Sequence, residues 1–237
     1  MKVEVKNLTK IFGSTVAVRD LSFTLESGQI LGFVGPNGSG KTTTMNIMAT
    51  LDEPTSGDVL LDGRSVIDYP DDARKVIGFM PDYLPAQKDI SAHEYIDFFA
   101  RASGLTGRDL HNRVAEIEDF VGLEPIRDKV LSALSRGMKQ RVSLARAIIH
   151  NPSLLIMDEP ANGLDPRARI EFRSYAKRLA EQGKAVLISS HILADLNEIC
   201  TGCLIVERGR LVKRIDTNLK NIDLESVFLE FTKGEVQ

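Results

Sequence analysis

The chain carries Gly35-Pro36-Asn37-Gly38-Ser39-Gly40-Lys41-Thr42, a glycine-rich stretch between the apolar run 30–34 and a helix-compatible segment. In the order strand, glycine loop and helix, this G-x-x-x-x-G-K-[ST] pattern predicts a phosphate-binding loop. Glycines let the loop turn its backbone N–H groups inward, and the helix N-terminus adds partial positive charge. We therefore expect a polyphosphate here, with Lys41 reaching its β- and γ-phosphates and Thr42 holding Mg²⁺. The alternative is a glycine-rich turn without a ligand, and the complete motif argues against it.

Composition excludes several classes of protein. The chain has 237 residues, 43% of them hydrophobic and 27% charged, which suits one large domain with an appended lobe. A net charge of −3 supplies no basic field, so we expect no nucleic-acid partner. No apolar run approaches the ~18 residues that span a bilayer, and the start Met1-Lys2-Val3-Glu4-Val5 is unlike a signal peptide. These features predict a cytoplasmic protein.

The two cysteines, Cys200 and Cys203, form a C-x-x-C pair. A redox pair would need a thioredoxin-like βαβ setting, and a metal site would need two more ligands from four scattered histidines. We interpret the pair instead as reduced cytosolic thiols at a helix–strand junction.

An antiparallel β layer is predicted before the glycine loop. Val3 and Val5 alternate with charged residues, and a period-two pattern continues over 16–25. Phe12 is either an exposed ring able to stack on an adenine base or a core residue of this layer, and its spacing does not choose between the two. Further strands are predicted at 30–34, 58–62, 75–80, 153–157 and 185–189.

A helical lobe is predicted over 83–134, inserted between strands of an α/β core. It opens with a capping box formed by Ser91 and Glu94. In the first helix, the predicted apolar face consists of Tyr95, Phe98, Phe99, Ala102 and Leu105. In the second helix, it consists of Val114, Ile117, Phe120 and Val121.

A second anion site is predicted at 134–141. Ser135 and Gly137 stand at the start of a helix whose inward residues are Val142, Ala145, Ile148 and Ile149. One polyphosphate has no need of two such sites within one subunit.

Two adjacent carboxylates, Asp158 and Glu159, end the apolar run 153–157. A strand points neighbouring side chains to opposite sides, so we expect Asp158 to orient toward Mg²⁺ and Glu159 toward the attacking water of a phosphoryl transfer. The alternative is an acidic strand end exposed to solvent, which the apolar run and the glycine loop upstream disfavour.

The C-terminal third adds one further candidate side chain. His191 follows the carboxyl end of the strand 185–189, at the sheet edge expected to carry Lys41 and Glu159. Pro166 suits the first position of the preceding helix. A short amphipathic helix is predicted in the tail, near Leu224, Val227, Phe228 and Phe231.

In this order the motifs resemble the nucleotide-binding domain of ATP-binding-cassette (ABC) transporters, over essentially the whole chain. Residues 35–42 resemble the Walker A motif, 155–159 the Walker B motif with its catalytic glutamate, and 134–138 the signature motif. Phe12 falls at the position of the adenine-stacking aromatic, 162–165 at the D-loop, and His191 at the switch histidine.

The resemblance implies a single α/β domain over 1–237, with a P-loop NTPase core of mixed sheet, an N-terminal antiparallel β layer and an inserted helical lobe. The core would comprise 1–82 and 135–215, the lobe 83–134, and the tail 216–237. Glu159, His191 and Lys41 would be catalytic, and Thr42, Asp158 and Asp82 would hold Mg²⁺. ATP would contact Phe12, Val16, Gly35, Pro36, Asn37, Gly38, Ser39, Gly40, Lys41, Thr42, Thr43, Ser135, Gly137 and Asp165.

The resemblance also implies that two such domains pair head to tail. Ser135 and Gly137 of one subunit would then face the γ-phosphate of the ATP held by the other, which accounts for the second anion site. The expected partners are a second ABC domain, in a homodimer or a heterodimer, and a transmembrane permease subunit. The chain would lie peripherally on the inner face of the cell membrane.

The chain departs from the family's commonest pattern in two motifs. Arg136 and Met138 replace a glycine and a glutamine of the signature. Asp82 stands at the Q-loop position, where a glutamine normally contacts Mg²⁺ and relays to the membrane partner. A carboxylate can still reach Mg²⁺ through water, but it cannot donate hydrogen bonds as an amide does. Gln87 lies nearby, but the Pro81-Asp82 alignment argues against it as the replacement.

The R-G-M-K-Q-R signature, Asp82 and the tail at 224–231 look most like the ABC-2 type exporters. We therefore expect an ATPase that powers export through a separate transmembrane subunit. A groove near Tyr83 and Leu84 would either receive that subunit or simply pack the lobe. The alternative function is a soluble regulatory or repair clamp of the same fold. Such clamps usually carry a long coiled-coil insertion or a tandem second domain, and the sequence contains neither.

Overall fold

The N-terminal sheet follows from the alternation of apolar and polar residues. The structure, a computed structural model, describes residues 1–84, 89–216 and 224–232. The strands of this sheet are β1 (Lys2–Phe12), β2 (Thr15–Glu26), β4 (Ser56–Leu61) and β5 (Arg64–Ser65). They lie in the order β2-β1-β4-β5, and every pairing is antiparallel. The predicted β layer is therefore present.

A larger sheet carries the site. Its strands are β3 (Ile30–Val34), β6 (Ile77–Met80), β7 (Leu154–Met157), β8 (Ala185–Ser189), β9 (Gly202–Glu207) and β10 (Arg210–Ile215). The order is β10-β9-β3-β8-β7-β6, with a parallel arrangement throughout except for the antiparallel β9–β10 hairpin. Parallel strands share one edge for their carboxyl ends, so the loops after β3, β7 and β8 meet there.

Helices cover this sheet and form the lobe. They are α1 (Lys41–Met48), α2 (Pro70–Val76), α3 (Ala92–Ala102), α4 (Gly107–Phe120), α5 (Arg136–Ile148), α6 (Pro166–Glu181), α7 (Leu193–Ile199) and α8 (Leu224–Thr232). Two 3₁₀ turns, Glu124–Ile126 and Leu131–Ala133, lead from α4 to α5. Ser91 and Glu94 form the predicted capping box of α3, and Pro166 opens α6 as predicted.

The strands of the large sheet divide their side chains between two cores. On β3, Leu31 and Phe33 join the core formed with α1 and the β layer. Ile30 and Val34 join a second core that contains the buried residues of α3 to α7. Because both faces are covered, β3 and β8 are buried along their whole length, as is usual in parallel sheets.

The structure corrects the predicted strand at 75–80. Lys75 and Val76 belong to α2, and the strand begins at Ile77. Signals for this helix are present in the sequence, since Pro70 stands at its first position, acidic residues occupy its first turn and basic residues its last turn. The β-branched pair at 76–77 obscured the boundary between helix and strand.

The predicted buried face of α3 is partly wrong. Phe98 is 60% exposed and Ala102 is also exposed, whereas Tyr95 is buried as predicted. The helix turns Ile96 and Ala100 inward instead, because these residues face the core shared with α5. Phe98 thus lies on the surface of the lobe.

The cysteines lie where the sequence suggested. Cys200 ends α7 and Cys203 lies in β9, both buried and free of disulfides. Burial raises the pKa of Cys203 to about 12 and that of Cys200 well above its usual value, so both remain protonated and unreactive.

The tail forms the predicted short helix, with Leu224 buried against the core. Gln87 and the side chain of Phe231 lie outside the described residues. Within the described ranges, no helix combines the length and the apolar character that a membrane crossing requires.

Candidate functional site

The glycine-rich loop leaves β3 in a tight turn that only glycine allows at several positions. Gly38 and Gly40 have φ of 80° and 99°, which is left-handed backbone. A Cβ at Gly35 would collide with the carbonyl oxygen of Val206, and one at Gly40 with that of Ala17. The pattern of glycines is therefore a steric requirement of the loop.

The loop ends at the N-terminus of α1, where backbone donors are in excess. Lys41, Thr42 and Thr43 are its first residues, and the N–H groups of a first helical turn have no acceptors within the helix. The Lys41 ammonium donates to the carbonyls of Gly35 at 2.7 Å and Pro36 at 3.2 Å. Donors and positive charge thus converge on one point of the loop.

Burial governs the charge of Lys41, which is only 6% exposed. Desolvation lowers the pKa of Lys41 below its ordinary value of 10.5, while the negative charges of Glu159 and Asp158 partly oppose that shift. A buried cation hydrogen-bonded to neutral carbonyls is stabilised by an anion that approaches it. The loop and the start of α1 therefore fit a polyphosphate.

Asp158 connects the loop to the ends of two strands. The Thr42 hydroxyl donates to Asp158 Oδ2 at 2.7 Å, and the Ser189 hydroxyl donates to Oδ1 at 2.6 Å. In the part of the chain that the structure describes, no group of three or more His, Cys, Asp or Glu residues could hold a metal. Mg²⁺ is commonly bound by one or two protein oxygens together with water and substrate phosphates. Thr42 and Asp158 fit such an ion.

Glu159 and His191 form the second pair of the site. His191 Nδ1 lies 2.7 Å from Glu159 Oε2, and the His191 backbone N–H donates to the same oxygen at 3.3 Å. The strand ends at Met157, so strand alternation is not what separates the two carboxylates. Glu159 has a left-handed φ of 47°, and its N–H donates to the Ser189 hydroxyl at 2.7 Å. The backbone turn at Glu159, fixed by the Ser189 hydroxyl, therefore points the Asp158 and Glu159 side chains in different directions.

These groups line one cleft of about 980 Å³ at the carboxyl edge of the sheet. Phe12 lies at this cleft and is 50% exposed, which excludes a core position for its ring. Ser39 is a buried residue of the loop itself, and it does not line the cleft. The predicted site residues that do line it are Phe12, Val16, Gly35, Pro36, Asn37, Gly38, Gly40, Lys41, Thr42, Thr43, Asp82, Asp158, Glu159 and His191.

Three predicted ATP contacts lie away from the cleft of their own chain. Ser135 caps α5, and its hydroxyl accepts from the Met138 N–H at 3.4 Å. Asp165 caps α6, and its carboxylate accepts from the Ala168 N–H at 3.0 Å. Gly137 is the second residue of α5. A chain on its own therefore does not bring these residues to its cleft.

Asp82 lines the cleft, but its carboxylate is engaged by other segments. Oδ1 accepts from the Asn162 amide at 3.3 Å and lies 3.5 Å from Arg136 Nη2. The Gln140 side chain donates to the Asp82 carbonyl at 3.0 Å.

Sequence reasoning missed several residues of the site. Ser189 carries a signal, since it is a hydroxyl at the end of a buried strand that precedes His191. Leu193 and Phe228 also line the cleft. Phe228 comes from α8, and no motif at 35–42 or 154–159 points to so distant a segment of the chain.

The chain is similar to known proteins along most of its length. The ABC transporter family model matches residues 18–162. The uncharacterized ABC transporter ATP-binding protein YhcH of Bacillus subtilis is 39% identical over 224 residues, which cover 93% of this chain and 72% of that protein. Nod factor export ATP-binding protein I of Cupriavidus metallidurans is 35% identical over 210 residues, which cover 89% of this chain and 69% of that protein.

A solved structure shares the fold. It is an ATP-binding cassette captured as a dimer in a post-hydrolysis state with ADP and Pi. Its TM-score is 0.83 at 26% sequence identity, with 90% of this chain and 98% of that chain covered.

Proposed function

Because the chain belongs to the ABC transporter family, as an ATP-binding and ATP-hydrolysing subunit, we propose that it powers export through a separate transmembrane subunit. The observation that carries the ATPase assignment is the convergence of Lys41, Asp158 and the Glu159–His191 pair on one cleft. Export is supported by the relative named for Nod factor export. We place the protein peripherally on the inner face of the cell membrane, held there by its partner.

In the proposed site, the loop N–H groups and Lys41 bind the β- and γ-phosphates of ATP. Thr42 and Asp158 hold Mg²⁺, which when bound neutralises charge on the phosphates. Glu159 accepts the proton of the attacking water, and His191 holds the Glu159 carboxylate in place. Phe12 stacks on the adenine, supported by its exposure at the cleft.

A second ABC domain completes the site. ABC ATP-binding subunits dimerise, as the post-hydrolysis neighbour does. Ser135, Gly137 and Asp165 lie outside their own cleft, which supports a role for them at the nucleotide of the partner. All elements of the site are present in this chain, so we propose a homodimer with two shared ATP molecules.

The transmembrane subunit is proposed to dock beside the lobe. Tyr83, at the junction of core and lobe, is 73% exposed, and Phe98 on α3 is 60% exposed. Large exposed apolar side chains are common at protein interfaces. A photo-crosslinker at Tyr83 should capture the membrane partner, and the same probe at Tyr69, which is 51% exposed in the turn before α2, is the control. Equal capture from both positions would contradict docking at Tyr83.

Purification of the tagged protein from membranes of its native host distinguishes the proposed transporter subunit from the alternative, a soluble regulatory or repair clamp of the same fold. We expect recovery of a protein with several membrane spans, whose presence raises the ATPase rate. Recovery of the chain from the soluble fraction only, without a membrane partner, would contradict the proposed function.

A further inference from the structure

Asp82, Arg136 and Asn162 form a polar cluster where three segments meet. Asp82 follows β6, Arg136 is the first residue of α5, and Asn162 lies between β7 and α6. The Asn162 amide donates to Asp82 Oδ1, and the Arg136 guanidinium faces the same oxygen. Gln140, one turn along α5 and only 3% exposed, holds the Asp82 carbonyl. The segment at Asp82 is therefore tied to α5 through both side chain and backbone.

Arg136 occupies an unfavourable position for a cation. The N-terminus of a helix carries partial positive charge, and the first turn of α5 has no acidic residue to offset it. The carboxylate of Asp82 supplies that negative charge from another segment. The guanidinium also lies over Gly163, where φ is 68° and an added Cβ would stand 2.7 Å from the guanidinium carbon. The left-handed backbone at Gly163 favours glycine, and the guanidinium of Arg136 lies directly against it.

Asp82 and Arg136, two of the three residues at which the chain departs from its family's pattern, thus form an ion pair. We propose that Asp82 is a positioning residue that, with Arg136 and Asn162, holds the start of α5 against the edge of its own nucleotide cleft. Asp82 lines that cleft, while the start of α5 carries Ser135 and Gly137. The cluster sets the orientation in which these two residues meet the partner's ATP. This inference rests on the proposed function, which gives Ser135 and Gly137 that role.

The cluster sets the orientation of the start of α5 and adds little to the stability of the fold. The side chains of Asp82 and Arg136 are 42% and 51% exposed, and ion pairs with that exposure stabilise a fold weakly. We therefore expect Asp82→Ala to shift the midpoint of thermal unfolding by less than about 4 °C. Amide hydrogen exchange in 134–141 and 159–165 should become faster in the same variant, because the two segments lose their common partner.

A double-mutant cycle of ATP turnover tests the coupling. Asp82→Ala and Arg136→Ala should each lower kcat by roughly 2- to 30-fold, without raising the KM for Mg-ATP. The kcat of the double variant should be higher than the product of the two single effects predicts, by a factor of about 2 or more. Arg136→Lys preserves the charge and should retain most of the wild-type kcat.

Arg64→Ala is the matched control. Arg64 pairs with Asp72 at 2.6 Å and belongs to the other sheet, so its effect should multiply with that of Asp82→Ala. A multiplicative cycle between Asp82 and Arg136 would overturn the proposal. If excess Mg²⁺ restored the kcat of Asp82→Ala, that result would also overturn the proposal and would assign Asp82 to metal binding. A wild-type protein that neither hydrolyses ATP nor dimerises would contradict the proposed function instead.

Discussion

At the residue scale, one hydroxyl fixes two carboxylates in different directions. Ser189 donates to Asp158 and accepts the backbone N–H of Glu159. Asp158 is thereby held toward Thr42, while the Glu159 carboxylate meets His191. Two neighbouring acids can then serve different purposes, one at a metal ion and the other at a water molecule.

Replacing Glu159 tests its assignment as general base. Glu159→Gln keeps the size of the side chain but removes the proton acceptor, so turnover should fall on the order of 10²–10⁴-fold. Binding of ATP, measured by fluorescence of a labelled analogue, should be unchanged because the loop is intact. Near-normal turnover in this variant would remove Glu159 from the role of general base.

Lys41 gives the nucleotide-free protein a specific pH dependence. Burial lowers its pKa below 10.5, so the unfolded chain binds this proton more tightly than the folded chain does. The free energy of unfolding should therefore rise with pH between the lowered pKa and 10.5. Lys41→Met has no such titrating group. The free energy of unfolding of the wild type should therefore increase relative to that of Lys41→Met as pH rises through that interval.

Denaturant unfolding at a series of pH values measures this difference. ATP should raise the thermal midpoint of the wild type and leave Lys41→Met unaffected, since the variant lacks the cation proposed to bind the phosphates. A stability difference that is constant with pH would contradict a depressed pKa for Lys41.

At the element scale, α5 combines a role in the fold with a proposed role at the dimer interface. Val142, Ala145 and Ile148 are buried as predicted, which anchors the helix in the core. Ser135 caps the N-terminus of α5 and Gly137 is its second residue, so both lie before these buried positions. Gly137 precedes this buried stretch, so a small change there should leave the buried face of the helix in place.

Gly137→Ala separates stability from activity. An added Cβ would lie 3.7 Å from Ala168 Cβ and 3.8 Å from Leu164 Cδ2, which is ordinary contact. Alanine in a helix should stabilise the protein by about 0.4–1 kcal/mol, measured by thermal unfolding. Turnover should fall by about 10- to 100-fold, because in the proposed dimer the methyl group would crowd the phosphate of the partner's ATP. A variant with higher stability and full turnover would contradict that role.

Elements with a strong local signal could be predicted from the sequence. β3 and β8 match their predicted ranges because a fully buried strand is a continuous apolar run between turn residues. Helix α2 was missed since it is only seven residues long, with Ala73 as its one buried residue. The outward position of Phe98 was missed because periodicity does not say which neighbours a helix meets.

The residues of the candidate site also divide into those that local motifs predict and those that they do not. The glycine loop, Asp158 and Glu159 could be predicted because each lies within a short motif next to an apolar strand. The contacts of Ser189 with Asp158 and of Arg136 with Asp82 could not, since they join residues far apart in sequence. Such contacts depend on the order of strands in the sheet, which local patterns do not contain.

At the scale of the whole molecule, we propose that each chain holds the complementary parts of two sites. The cleft between the loop and His191 carries the groups proposed to bind and attack ATP. The starts of α5 and α6 carry Ser135, Gly137 and Asp165, away from that cleft. Two chains in a head-to-tail arrangement would bring the parts together, so hydrolysis should depend on dimer formation.

Sedimentation velocity of Glu159→Gln with saturating Mg-ATP tests this central claim most directly. The variant binds ATP but should not hydrolyse it, so the closed dimer should accumulate at about twice the chain mass of 26.2 kDa. The double variant Glu159→Gln/Gly137→Ala is the control and should dimerise more weakly. A Glu159→Gln protein that binds ATP and still sediments as a single chain, alone and together with its membrane partner, would contradict the account.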